Sequence, residues 1–240
     1  MLAAYRDHIC ALLEAALEQE DVLARAAAMV AETVRRGGVV HVFGSGHSSL
    51  AALEVVGRSG SLVPVNPILD RTEDLAERLE GYGLALMASY EEQYGLRPED
   101  CLVVISNSGR NPLPLEVALA GKERGLGVIA VTNVAQSNAL PSRHSSARRL
   151  YEVADLVLDT FAPFGETSLT LPSGQGVAPS SSFPALFLVN GLLLLAAEAL
   201  EESGQAAPLL ASENGRDEDA KARNAELRRR YQGRLRRFGV

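Results

Sequence analysis

Tryptophan is absent from this chain, and Phe and Tyr bring the aromatic fraction to only 5%. Proteins that bind single-stranded nucleic acid stack bases on aromatic side chains, and little material exists here for such a platform. Cysteine is nearly absent too. Cys10 and Cys101 are the only two in 240 residues, which reads as reduced core thiols, not as a disulfide framework or a metal cluster. The four histidines fall at 8, 41, 47 and 144 with no ligand spacing, so no metal is expected. No run of about 20 apolar residues exists to span a bilayer. The longest, Pro184 to Leu200, is interrupted by Asn190 and Glu198 and reads as a buried core helix. Arg6, Asp7 and His8 interrupt the N-terminus where a signal peptide would need an apolar core. A cytoplasmic protein with no membrane partner is the expectation.

The charge is uneven. The net charge is -7, yet residues 221 to 240 contain eight Lys or Arg and one Glu, leaving a strongly acidic body. Such a body repels phosphate backbones, so no nucleic-acid partner is expected. In the tail, Leu227, Tyr231 and Leu235 recur every four residues with Phe238 beyond them. That spacing predicts an apolar stripe docking a terminal helix, with the arginines as its solvated face.

What is present is 47% hydrophobic residues with 22% charged, the balance of a globular protein. Residues 2 to 36 have helical spacing, as one or two packing helices, and stop at Gly37-Gly38. Apolar runs at 38 to 43, 101 to 106, 126 to 132 and 154 to 160 predict buried strands, with a short strand near 61 to 65 and a Pro67-interrupted loop after it. The strand at 154 to 160 is taken as the last. Helices are predicted at Leu50 to Arg58, around 72 to 93, at 112 to 124 and near 183 to 202, with a loop from 133 to about 146. Strands apolar throughout and separated by helices indicate a parallel sheet covered on both faces. The predicted fold is therefore α/β, a three-layer α/β/α sandwich with the terminal helices packed on it. One domain is expected over 1–240: a helical segment 1–36, a core 37–210 and a helical tail 211–240.

Two polar turns follow strands, where ligands bind in such sheets. "GSGHSS", 44 to 49, lacks the third glycine of a dinucleotide fingerprint, since Ser49 stands there. "SNSGRNP" places Ser106, Asn107, Ser108 and Gly109 between a buried strand and a helix whose first turn holds Pro112 and Pro114. Amides at a helix start, with added hydroxyls, can cradle an oxyanion. Turn capping alone is the competing reading. No Gly-Lys-Ser/Thr is present, so this is not a P-loop.

"GSGHS", "ISNSGRNP" and "GVIAVTN" together resemble the sugar isomerase (SIS) domain family. Its second motif is typically Ser-x-Ser-Gly-x-Thr. "PSRHSSARRLYEVADLVLD", "APFGE", the serines near 180 and the ending "RYQGRLRRFG" further resemble a bacterial subgroup of stand-alone SIS proteins catalogued as phosphosugar-binding. The chain departs from the pattern at Asn111, where Thr is usual, and at Ser49 and Leu53, where the subgroup has His and Glu. The resemblance implies a flavodoxin-like fold and a homodimer or higher homo-oligomer with sites near the subunit interface. It assigns the phosphate to Ser106, Asn107, Ser108 and Gly109, with Asn111 as a substitute donor, and the sugar to Gly44, Ser45, Gly46 and Ser48. No cofactor is implied.

Moving a proton between adjacent carbons requires a base, and Glu or His are the natural choices. The candidates are Glu54, His47, His144 and Glu166. Glu116, in the first turn after the second motif, is assigned a structural role at the helix dipole. Three readings stand: a sugar-phosphate isomerase or an amino-sugar-phosphate lyase or etherase, a non-catalytic phosphosugar sensor, and a nucleotide-dependent enzyme, which both turns disfavour.

Overall fold

The computed structural model describes residues 1–72, 75–214 and 217–236. Five strands form one sheet in the order β2-β1-β3-β4-β5: β1 (Val40–Gly44), β2 (Val65–Ile68), β3 (Cys101–Ile105), β4 (Gly127–Thr132) and β5 (Leu156–Asp159). All four pairings are parallel. Side chains alternate across the sheet, as the strand repeat of two requires. Val40, Val42, Cys101, Val103 and Ile105 enter one apolar layer, while Phe43, Leu102 and Val104 enter the other.

The first layer is closed by α2 (Glu20–Arg35), α3 (Ser48–Glu54) and α8 (Ser182–Glu202), the second by α4 (Tyr82–Tyr94), α5 (Pro112–Glu123) and α7 (Leu150–Val153). This is an α/β/α sandwich. By length and composition α8 could cross a bilayer, but Leu188, Leu192, Ala196 and Leu200 are buried in the first layer. The N-terminal helical segment is two helices. α1 (Leu2–Leu17) ends before Gln19, whose side chain exchanges two hydrogen bonds with the backbone of Asp159, at 2.7 and 2.8 Å.

The chain leaves β1 towards β2 on one side, and the following strands, β3 to β5, are laid on the other. The order reverses between β1 and β3, and a crevice opens beyond the carboxyl ends of two strands where this happens. The two polar turns follow those two strands.

Several elements differ from expectation. The second strand lies at 65–68, not 61–65, and contains Pro67. It is an edge strand, where a missing N–H is tolerated. α3 starts at Ser48 and stops at Glu54, four residues short of Arg58. The helix expected from 72 begins only at Tyr82, after Gly81 at φ 88. Residues 75–78 form turns, and Glu73 and Asp74 lie outside the described residues. The loop after β4 contains α6 (Val134–Ala139). The strand at 156–159 is not the last: β6 (Thr167–Thr170) and β7 (Gly176–Pro179) pair antiparallel as a hairpin. In the tail, α9 (Ala220–Arg230) leads to half-buried Tyr231 and Leu235. Arg234, expected in solvent, is buried against Asp100 at 2.5 Å. Phe238 lies outside the described residues.

Candidate functional site

Gly44 ends β1 under the first turn of α3. A Cβ there would lie 2.4 Å from the Ser48 carbonyl oxygen, so only glycine lets the chain fold back this tightly. The turn buries Ser45, whose hydroxyl donates to Glu77 Oε1 at 2.7 Å. Ser49 spends its hydroxyl on the Gly46 carbonyl, at 2.7 Å. Gly46, His47 and Ser48 line the cavity that opens beyond.

The second turn is built more tightly. Ser106 N–H extends the ladder to Val131 O at 3.0 Å, and Asn107 O accepts from Asn133 N–H at 2.9 Å. Ser106 Oγ accepts the N–H of Gly109 at 3.2 Å. Gly109 has φ 58, and a Cβ there would meet Thr132 Oγ1 at 2.6 Å and Ser137 Oγ at 2.9 Å. Asn107 Oδ1 accepts from Thr160 Oγ1 at 3.0 Å, while its Nδ2 reaches towards Glu166 Oε1 at 3.4 Å. Among the described residues none accepts the backbone N–H of Asn107 or Ser108. Asn111 is the extended N-cap of α5, with Pro112 at the first helical position. Its side-chain oxygen accepts from Arg143 Nη1 at 2.7 Å.

Between the turns lies a cavity of about 260 Å³. Ile105, Val131, Ala51 and Ala185 form its apolar floor. Ser106, Asn107, Ser108 and Asn111 border it on the β3 side. Thr160, Glu166, Ser181 and Ser182 close the remaining wall. Glu166 adopts φ 70, a left-handed conformation that costs a non-glycine residue on the order of 1 kcal/mol. The hairpin holds it there, with Ser180 N–H donating to Glu166 O at 3.1 Å.

The expected site residues separate on this geometry. Ser45, Gly46, Ser48, Ser106, Asn107, Ser108 and Asn111 share the cavity with His47 and Glu166. Gly44 and Gly109 shape the turns from behind. Glu54 does not line the cavity; it pairs with Arg58 along α3. His144 also lies outside it, with Nε2 3.5 Å from Glu116 Oε1. Glu116 is buried and accepts the N–H groups of Gly81 at 2.5 Å and Gly83 at 2.8 Å. Its carboxylate therefore serves the N-terminus of α4 and not the helix it belongs to. Sequence reasoning missed Glu77, Thr160, Ser181 and Ser182. Glu77 gave no signal, because its segment reads as the interior of a helix and its partner Ser45 is 32 residues away.

Residues 4–133 match the family of the SIS domain. The chain belongs to the SIS domain family. Close relatives are UPF0309 proteins. One from Shouchella clausii is 36% identical over 222 residues, covering 88% of this chain and 89% of that protein. Another, from Geobacillus kaustophilus, is 38% identical over 238 residues, covering 91% and 90%. Among solved structures, the phosphoheptose isomerase of Neisseria gonorrhoeae superposes with a TM-score of 0.54 at 18% identity, over 81% of this chain and 96% of that one. The Vibrio vulnificus NanR protein, complexed with ManNAc-6P, gives 0.52 at 18% identity, over 85% and 64%. At such identities the superpositions establish the SIS fold alone.

Proposed function

We propose that this SIS protein binds a phosphorylated sugar between the two turns and interconverts its aldose and ketose forms. The observation that carries the reading is the pair of amides at Asn107 and Ser108, without an acceptor among the described residues, in a cavity that also holds Glu77. The phosphate sits on the second turn, where these amides, the Ser108 hydroxyl and the α5 dipole meet negative charge. Hydroxyls of the sugar face Ser48, Ser181 and Ser182.

Glu77 is the base. Its carboxylate is anchored by Ser45, as a general base must be if it is to meet one carbon and then its neighbour. It takes the proton from the carbon next to the carbonyl while the carbonyl oxygen gains one, leaving an enediol whose C=C joins the two carbons. The same carboxyl then returns the proton to the former carbonyl carbon as the neighbouring hydroxyl loses its proton and becomes the new carbonyl. His47 and Glu166, on other walls, supply and accept the hydroxyl protons that ring opening and enolisation require. Leu75 and Leu79, 91% and 60% exposed on either side of Glu77, support a second copy of the chain covering this edge of the site.

The test is proton exchange in deuterated water with a panel of hexose, amino-sugar and heptose phosphates. Wild-type protein is expected to place deuterium at the carbon next to the carbonyl. Glu77→Gln is expected to slow this by about 10²- to 10⁴-fold while still binding the sugar phosphate. Binding without exchange in the wild type would contradict the isomerase and leave a sensor; full exchange in Glu77→Gln would remove Glu77 from the role.

A further inference from the structure

Three arginines gather beside the cavity, and the proposed isomerisation uses none of them. Arg110 follows Gly109 in the second turn, Arg78 follows Glu77, and Arg143 comes from the loop between α6 and α7. Backbone structure brings the last to the first: Arg143 N–H donates to Arg110 O at 2.9 Å. Arg143 Nη1 then reaches the Asn111 side chain, which borders the cavity.

Among the described residues none of the three guanidinium groups makes an ion pair. Glu77 attracts Arg143, but its carboxylate already accepts the Ser45 hydroxyl. Glu80 accepts the N–H of Ser145 at 2.6 Å. Glu116 is held by Gly81, Gly83 and His144. Burial, together with the charges of Arg110 and Arg78, pushes Arg143 below the usual arginine range. Among the described residues Arg110 Nε, itself buried, has no acceptor. Among the described residues, exposed Arg78 and Arg143 and half-buried Arg110 face one shared carboxylate, and the buried orphan donor of Arg110 adds a desolvation cost. An anion with several oxygens relieves both, since the guanidinium fork is shaped for carboxylate and phosphate.

We propose that Arg78, Arg110 and Arg143 form a second anion subsite, so that the ligand is a phosphorylated sugar carrying a further anionic group, a carboxylate or a second phosphate. The inference rests on the reading of the second turn as the site of the first phosphate. The sugar then runs past Glu77 and Asn111, which line the cavity, Asn111 being bonded to Arg143 and Glu77 preceding Arg78 in the chain.

Calorimetric titration of matched pairs at 150 mM salt tests it: fructose 6-phosphate against fructose 1,6-bisphosphate, and glucose 6-phosphate against 6-phosphogluconate. Wild-type protein is expected to favour the doubly anionic member of at least one pair by about tenfold or more. Which pair shows the preference identifies phosphate or carboxylate as the second group. In the double variant Arg110→Gln, Arg143→Gln the ratio is expected to fall to near one. Equal affinities within both pairs in the wild type, or a ratio the double variant leaves unchanged, would overturn the subsite. Binding of single phosphates alone removes only this inference; no binding of either kind removes the phosphosugar reading as well.

Discussion

Gly109 shows how little freedom the second turn has. Thr132 and Ser137 stand where a side chain would go, and the backbone is left-handed. Gly109→Ala is expected to cost about 1–3 kcal/mol in urea unfolding, the range for a residue forced into a strained conformation. It should also weaken sugar-phosphate binding, because the amides of Asn107 and Ser108 turn with it. An alanine variant of wild-type stability and affinity would show that the turn is not held as described. At this scale the sequence told much about residues in short motifs and little about residues assembled from a distance. Ser106 to Gly109 were legible because a strand, small polar residues and a proline-started helix follow one another. Glu77 was not, since only folding brings it to Ser45. Glu54 misled for a physical reason: it follows Ser48 on the same short helix, but α3 carries it towards Arg58 and away from the cavity.

Among the elements, buried strands and long helices were readable because their apolar patterns are strong. β2 was displaced in the reading because Pro67 resembles a break, and an edge position removes the penalty. The short α6 and the β6–β7 hairpin have too few residues to show a period. The tail was half legible. Its stripe announced docking, but nothing local distinguished Arg234 from the other arginines. Folding places it on Asp100, which also accepts the N–H groups of Val39 at 2.8 Å and Arg97 at 2.7 Å. Asp100 lies 3.2 Å from His41 Nε2, and His41 Nδ1 lies 2.7 Å from the Tyr90 hydroxyl. Tyr90 in turn meets Asn66, whose Oδ1 accepts Arg236 N–H at 2.6 Å. The tail is thus tied to β1, β2 and α4 by one buried polar network.

That network sets a pH dependence. Burial lowers the pKa of His41 from its ordinary 6.5, against the opposing pull of Asp100. Because the folded pKa is depressed, the unfolded chain takes up the proton first as pH falls. Stability contributed by His41 is fully present above pH 6.5 and is lost from there down to the lower folded value, at up to about 1.4 kcal/mol per pH unit. Urea unfolding at pH 7.5 and 5.5 should show the loss in the wild type and a smaller one in His41→Gln. Equal losses in both would assign the dependence to other groups.

For the whole molecule, alternation of apolar strands with helices announced a parallel sheet, but not the order β2-β1-β3-β4-β5. Order depends on which side each crossover takes, and local pattern does not record that. It matters because the reversal between β1 and β3 is what sets the two polar turns side by side. Two motifs about 60 residues apart become two walls of one cavity, with Ala51, Ile105, Val131 and Ala185 as its floor. The acidic body and basic tail also separate at this scale, with part of the basic charge drawn inside at Arg234.

The central claim is that the second turn recognises the phosphate of a sugar phosphate. The most direct test is the thermal and calorimetric response of wild-type protein and Ser108→Ala to a panel of phosphorylated sugars and their unphosphorylated parents. A phosphorylated sugar at 100 times its Kd is expected to stabilise the wild type by about 2.7 kcal/mol, its parent much less, and Ser108→Ala should lose affinity for the phosphorylated form selectively. Equal loss for both forms, or stabilisation by nucleotides and by no sugar phosphate, would contradict it.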